Sequence, residues 1–287
     1  MPHIPVLRPG HPSDAEPCGL IAYEAFKNIA ERHGFPPDFP GPDDAIGLMR
    51  MLLARPDVYS VVAELDGKIA GSNFLWEEEK IAGVGPITVS PTAQDASIGR
   101  SLMHAVLERT RERGLAGVRL VQAAYHGRSL SLYAKLGFVV REPLATLQGP
   151  ALGLRVEGHP VRPAMPADID ACSRLCIAVH GHDRRLDLKA GIEAGCAMVV
   201  ERGGEITGYT SAIGFFGHAV GESNRDLEAL IGAAPAFLGP GVLIPLRNSD
   251  LFRWCLGRGL RVVHTMTLMT RGLYNNPAGP FLPSVCY

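Results

Sequence analysis

Neither sign of charge is in excess in this 287-residue chain: 28 Lys and Arg stand against 29 Asp and Glu, a formal net charge of -1. Without a surplus, nothing points to nucleic acid or an anionic membrane as partner, and only a local basic pocket stays open. No apolar run approaches the ~20 residues needed to span a bilayer. The opening Met1-Pro2-His3-Ile4-Pro5 lacks the basic region and apolar stretch of a secretory signal, so a cytoplasmic protein is expected. The six cysteines are scattered. Only Cys172 and Cys176 are near neighbours, and no second close pair with histidines completes a zinc pattern. Reduced, partly buried thiols and no bound metal are expected. At 46% hydrophobic and 20% charged, the chain is globular in composition, and its length suits two domains.

Ile4 to Arg8 reads as a strand, and Ala15 to Arg32 as a helix through Leu20, Ile21, Ala22, Tyr23, Phe26 and Ile29. Pro36, Pro37, Pro40 and Pro42 break it, and Asp43-Asp44 lead a second helix to Leu53. Three strands follow, Val58–Leu65, Lys68–Trp76 and Ala82–Val89, with Asp66-Gly67 as the first hairpin turn. A helix from Ile98 to Arg113, a strand from Val118 to Ala123, a helix from Ser129 to Lys135 and a strand from Val139 complete a β-β-β-α-β-α-β order, which argues for a mixed sheet with helices on both faces. From Pro143 to Pro160 the pattern fades into a last strand and a linker.

The stretch from Ile81 to Glu112 organises this half. A β-branched run ends at Pro91, the small-residue loop Gln94-Asp95-Ala96-Ser97-Ile98-Gly99-Arg100 follows, and an amphipathic helix begins. Successive loop N–H groups backed by a helix N-terminus can hold phosphate oxygens. Downstream, Leu132-Tyr133-Ala134-Lys135-Leu136-Gly137-Phe138 closes the half. Together these segments resemble the Gln/Arg-x-x-Gly-x-Gly/Ala loop and the late helix with its Gly-Phe turn of the GCN5-related N-acetyltransferase (GNAT) superfamily, with Ser97 in the first glycine position.

Val161-Arg162-Pro163 through Asp168 echoes Val6-Leu7-Arg8-Pro9 through Asp14, a strand, Arg-Pro and a polar helix start. The second half keeps that order with helices at Asp168–Val179, up to Ala194, Asp226–Ala234 and Ser249–Leu256. Strands are expected at Ala197–Glu201, Ile206–Phe216, Gly241–Pro245 and Leu260–Met269. No phosphate loop can be placed in it. The expected class is α/β, an α+β mixture of two tandem GNAT-like domains, residues 1–158 and 159–287. Each is a mixed, mostly antiparallel sheet flanked by helices, and the second copy is read as degenerate and cofactor-free.

The resemblance implies transfer of an acetyl group from acetyl-CoA to a primary amine of a small molecule or peptide, by direct attack in a ternary complex of a monomer or homodimer. It places the pyrophosphate on backbone N–H groups from Gln94, Asp95, Ala96, Ser97, Ile98, Gly99 and Arg100, and the pantetheine arm on the backbone of Ile87, Thr88 and Val89. His126 stands where the family has asparagine, and Ser129 where it has alanine. Tyr133 falls where a tyrosine protonates the departing thiolate, a role a phenol suits. Phe26, Phe35 and Phe39 line an acceptor pocket or pack the helical pair. The general base is not readable among Glu24, Glu64, Glu77 and His104, nor in His182 with Asp183. A CoA-binding or protein-interaction module without turnover is the alternative.

Overall fold

The computed structural model describes residues 5–77, 79–93 and 97–286. The first half runs β1 (Val6–Pro9), α1 (Ala15–Arg32), α2 (Pro42–Ala54), β2 (Val58–Leu65), β3 (Lys68–Trp76), β4 (Ile81–Val84), β5 (Thr88–Val89), α3 (Ile98–Glu112), β6 (Gly117–Ala123), α4 (Gly127–Lys135) and β7 (Val139–Gln148). The second runs β8 (Val161–Pro163), α5 (Ile169–His180), α6 (Arg185–Glu193), β9 (Met198–Arg202), β10 (Glu205–Thr210), β11 (Ala219–Gly221), α7 (Asn224–Ala233), β12 (Val242–Pro245), α8 (Ser249–Gly257), β13 (Arg261–Gly272) and β14 (Phe281–Leu282). The order is a mixed α/β fold with two units of sheet and helix, as expected.

Among the described residues the strands form two sheets. One has the order β1-β2-β3-β4-β6-β13-β7-β12 with β5 on β3, and the other β14-β11-β10-β9-β8. Among the described residues, β4 and β6 are the one parallel pair in the first. The large sheet is shared between halves: β13 lies between β6 and β7, with Met266 opposite Ala123 on one side and Leu144 on the other. β12 closes the sheet against β7.

Apolar residues explain the layers. On α3, Leu102, Met103, Val106 and Leu107 fall on one face and are buried with Leu120, Tyr133 and Phe138, each such side chain stabilising the fold by about 1.5–3 kcal/mol. α1 and α2 cover the opposite face through Cys18, Ala22, Met49 and Leu52 against Val62 and Phe74. β7 also serves the second half, where Ala145 and Leu147 pack with Leu227, Leu230 and Leu251 of α7 and α8.

The repeated Arg-Pro segments build the same device twice. Arg8 donates to both Asp14 oxygens at 2.7 and 2.9 Å and to Glu64 on β2 at 2.7 Å. Arg162 donates to Asp168 at 2.7 and 2.8 Å and to Glu201 on β9 at 2.8 Å. Each aspartate also accepts a backbone N–H three residues earlier, at 2.8 Å. The device fixes the first strand of each half to its second strand and to the start of its first helix.

Two expected strands differ in the structure, and the short β11 and β14 are not among those expected from the sequence. Ala82 to Val89 is not one strand: Ile81–Gly83 pair with β6, and Gly83 and Val84 with Trp76 and Leu75 of β3. Thr88 and Val89 resume only on the β3 side, opposite Ser72 and Gly71. The break falls where Gly85 takes φ 135° and Pro86 has no N–H to give. A fork opens there between β6 and the segment from Val84 to Val89. The strand read from Ile206 to Phe216 ends at Thr210, whose hydroxyl donates to Ala212 O and lies 2.9 Å from His218 O, turning the chain.

Candidate functional site

A cleft of about 1460 Å³ opens at the fork, lined by the loop between α1 and α2, Val84–Val89, the starts of α3 and α4, and β6. β13 and the loops around Phe215 and Gly239 close its far wall. The volume suits a large cosubstrate together with a small acceptor.

The starts of α3 and α4 make one end anion-friendly. Ser97, in the position of a family glycine, takes glycine's left-handed backbone with φ 58°. The first helical bond of α3 runs from Ser101 N–H to Ser97 O at 3.1 Å, so the amides of Ile98, Gly99 and Arg100 precede the ladder and lie at the positive end of the helix dipole. Gly99 and Arg100 line the cleft with Ser97, while the side chain of Ile98 is fully buried beneath them. Gln94, Asp95 and Ala96 lie outside the described residues.

Ile87, Thr88 and Val89 line one arm of the fork, and His126, Ser129 and Tyr133 from α4 and its cap also line the cleft. The Thr88 hydroxyl is tied to Ser72 at 3.1 Å. The Ser129 hydroxyl lies 2.7 Å from His126 Nδ1, one turn before Tyr133 on the same face of α4. Burial pushes the phenol up to about 12, partly offset by Ser129, so its proton stays in place at physiological pH. Burial, with His33, Arg128 and Arg32 nearby, holds the His126 ring below its ordinary value and hence neutral.

The other carboxylates and histidines weighed as bases stand elsewhere. Glu77 is bound bidentately by Arg109 at 2.6 and 2.8 Å, Glu64 by Arg8, and Asp183 by Ser173 and Arg185. None of these carboxylates lines the cleft, and neither do Glu24, His104 or His182. Phe26 and Phe39 do line it, edge to face at 5.7 Å. Phe35 instead stacks on Tyr125 at 4.2 Å behind the wall.

Three cleft residues had no signal in the sequence. Gln122 on β6 is 6% exposed, and neither amide atom has a protein partner. Such a group, in the fork, matches a ligand that carries its own amides. Asp38, between prolines, and His264, on β13, face each other at 4.0 Å. Only the strand order, with β13 beside β6, could have revealed them. Burial moves the Asp38 carboxyl up to about 6, and the His264 ring down.

Among the described residues no helix is long and apolar enough to cross a membrane. Residues 23–138 match the model of the acetyltransferase (GNAT) family. An IAA acetyltransferase of Azospirillum brasilense is 31% identical over 108 residues, 37% of this chain and 70% of the relative. Two solved structures share the fold over nearly the whole chain. A putative acetyltransferase from Pyrococcus horikoshii superposes with a TM-score of 0.71 at 21% identity, covering 96% of this chain and 94% of its own. A GCN5-related N-acetyltransferase from Sphaerobacter thermophilus gives 0.62 at 18%, covering 95% and 96%. With the Azospirillum brasilense relative matched over 70% of its length at 31% identity, this chain belongs to the acetyltransferase (GNAT) family.

Proposed function

We propose that the chain moves an acetyl group from acetyl-CoA to a primary amine of a small molecule or peptide by direct attack in a ternary complex. The observation that carries this is the fork itself, which opens into a cleft with two helix starts at one end and a protonated phenol along its side. The amides of Ile98, Gly99 and Arg100, with Gln94, Asp95, Ala96 and Ser97 ahead of them, hold the pyrophosphate, and the Arg100 guanidinium adds a contact. Backbone groups of Ile87, Thr88 and Val89, with the amide of Gln122 opposite, take the pantetheine arm. His126 and Ser129 orient Tyr133, which gives its proton to the departing sulfur. Acetyl-CoA supplies the thioester. Positioning and proton handling are what the protein adds.

The halves divide near residue 158, and the second is a degenerate copy that binds no cofactor. What supports this is Asp226. Its carboxylate, fully buried at the start of α7, accepts from Ser223 N–H at 2.9 Å, Ser223 Oγ at 2.7 Å and Thr207 Oγ1 at 2.7 Å. The place where a phosphate would meet that helix is filled by the chain's own anion. Calorimetric titration of acetyl-CoA into the full chain is expected to show one equivalent. Two equivalents would refute the degenerate second half, and no binding would refute the cofactor and turn the reading toward an interaction module.

A further inference from the structure

One stretch of the cleft wall brings together Asp38 and His264, whose polar atoms are only partly satisfied within the protein. Asp38 is held between Pro36-Pro37 and Pro40, whose fixed φ angles restrict the loop. Its side chain is 17% exposed, and among the described residues His264 is the one basic group within 4.0 Å of it. The His264 side chain is 2% exposed, and Nδ1 has no hydrogen-bond partner. Its ring stacks on Phe35 at 5.9 Å, and Phe35 on Tyr125, which fixes its plane. Directly opposite His264 in the register of β7 stands Thr146, fully buried, with Oγ1 also unpartnered.

A largely enclosed carboxylate without a cation is costly, and a neutral imidazole whose Nε2 faces it offers a second acceptor beside it. The 4.0 Å between Asp38 Oδ1 and His264 Nε2 is too long for a hydrogen bond. It leaves room for one nitrogen about 2.8 Å from both atoms. A species that donates several N–H bonds and carries positive charge satisfies the pair. The same cleft is lined by Phe26, Phe39, Phe215, Phe216 and Met266, with Arg32, His33 and Asp44 among its charged members.

We infer that Asp38 and His264 form the acceptor site, seating the ammonium of a primary amine carried on an apolar, ring-bearing body, and that Asp38 is the base that frees its lone pair. The inference rests on the acetyl transfer argued above. Asp38 takes one proton from the ammonium, giving a neutral amine and a carboxylic acid. The amine nitrogen forms a bond to the thioester carbonyl carbon, the carbon–sulfur bond breaks, and sulfur keeps the electron pair. Sulfur receives a proton from Tyr133, which recovers one from the new amide nitrogen, and the proton on Asp38 passes to water. His264 comes from the second half, so that half contributes to the reaction by completing the acceptor site and needs no cofactor of its own.

The probe is 2-phenylethylamine, with 2-phenylethanol as its uncharged counterpart, titrated calorimetrically into the full chain without acetyl-CoA. Wild-type protein is expected to bind the amine at least tenfold more tightly than the alcohol. Asp38→Asn should remove that preference and Asp38→Glu restore most of it. Acetyl-CoA affinity should stay within twofold in both variants, while kcat/KM for amine acetylation falls at least 100-fold in Asp38→Asn. His264→Gln should weaken amine binding severalfold. Equal binding of amine and alcohol by the wild type, or unaltered binding and turnover in Asp38→Asn, overturns the inference. So does a protein that binds acetyl-CoA but neither binds nor acetylates the probe, and that outcome leaves the family reaction standing. Loss of acetyl-CoA binding in the wild type refutes the reading beneath it instead.

Discussion

Replacing Tyr133 with phenylalanine separates chemistry from packing because the structure gives each a different size. The ring is 5% exposed and stands edge to face with Phe138 at 6.1 Å, contacts that phenylalanine keeps. The loss is at most the phenol's polar interaction with Ser129, whose oxygen stays paired with His126 at 2.7 Å. No buried polar atom is orphaned, so destabilisation is expected near the ordinary net value of a hydrogen bond, about 1 kcal/mol. If the phenol protonates the leaving sulfur, kcat should fall by ~100-fold or more, about 2.7 kcal/mol in the barrier. Urea unfolding measures the first quantity. Thiol release at saturating acetyl-CoA and amine measures the second, with acetyl-CoA affinity as control. A kcat within twofold of wild type, beside the expected loss of stability, would assign Tyr133 to packing and refute its role as acid.

The duplicated ion-pair device predicts parallel losses: Asp14→Asn and Asp168→Asn should each cost about 2 kcal/mol at pH 7, and a cost for only one would break the equivalence of the halves. Arginine bonding holds both carboxyls below their ordinary range. Their contribution is therefore complete above the unfolded carboxylate value and disappears as pH falls through the folded one. Burial holds the His180, His182 and His218 rings below their usual 6.5, His182 at about 4. The unfolded chain then binds more protons in acid, so the urea midpoint should drop between pH 7 and pH 5, and an unchanged midpoint would contradict neutral burial. Ser97→Gly should stabilise by about 0.5–1 kcal/mol, since serine bears the cost of φ 58°; a destabilised variant would mean its side chain holds the loop.

Much of this molecule is legible from local pattern. The amphipathic spacing of α3, the turn at Gly137-Phe138 and the Arg-Pro echo all appear in the structure near their expected bounds, because each is decided by residues within a few turns of one another. The break at Gly85-Pro86 was not read, because Ile87, Thr88 and Val89 look as β-branched as any strand. The fork forms because pairing with β3 resumes after the break and pairing with β6 does not. Asp38 and His264 were invisible for a related reason. One lies in a proline-rich loop near the start and the other on a strand near the end, and only the sheet order brings them together. Gln122 gives no sign in the sequence, since its meaning lies in what fails to bond to it.

The position of β13 between β6 and β7 also sets an order of assembly. During synthesis, both strands that will flank it emerge well before residues 261–272 do. Until then each presents an open edge, and the β7 edge carries Leu144, Ala145 and Leu147, a combination prone to pairing with the wrong chain. Closing the sheet requires contacts between segments far apart along the chain, a slow step for a nascent protein. A fragment that stops after the first half is therefore expected to be sticky and inactive even though it carries the loop proposed to hold the pyrophosphate. Insertion of β13 ends both conditions at once, since the same strand covers the edges and delivers His264 to the cleft.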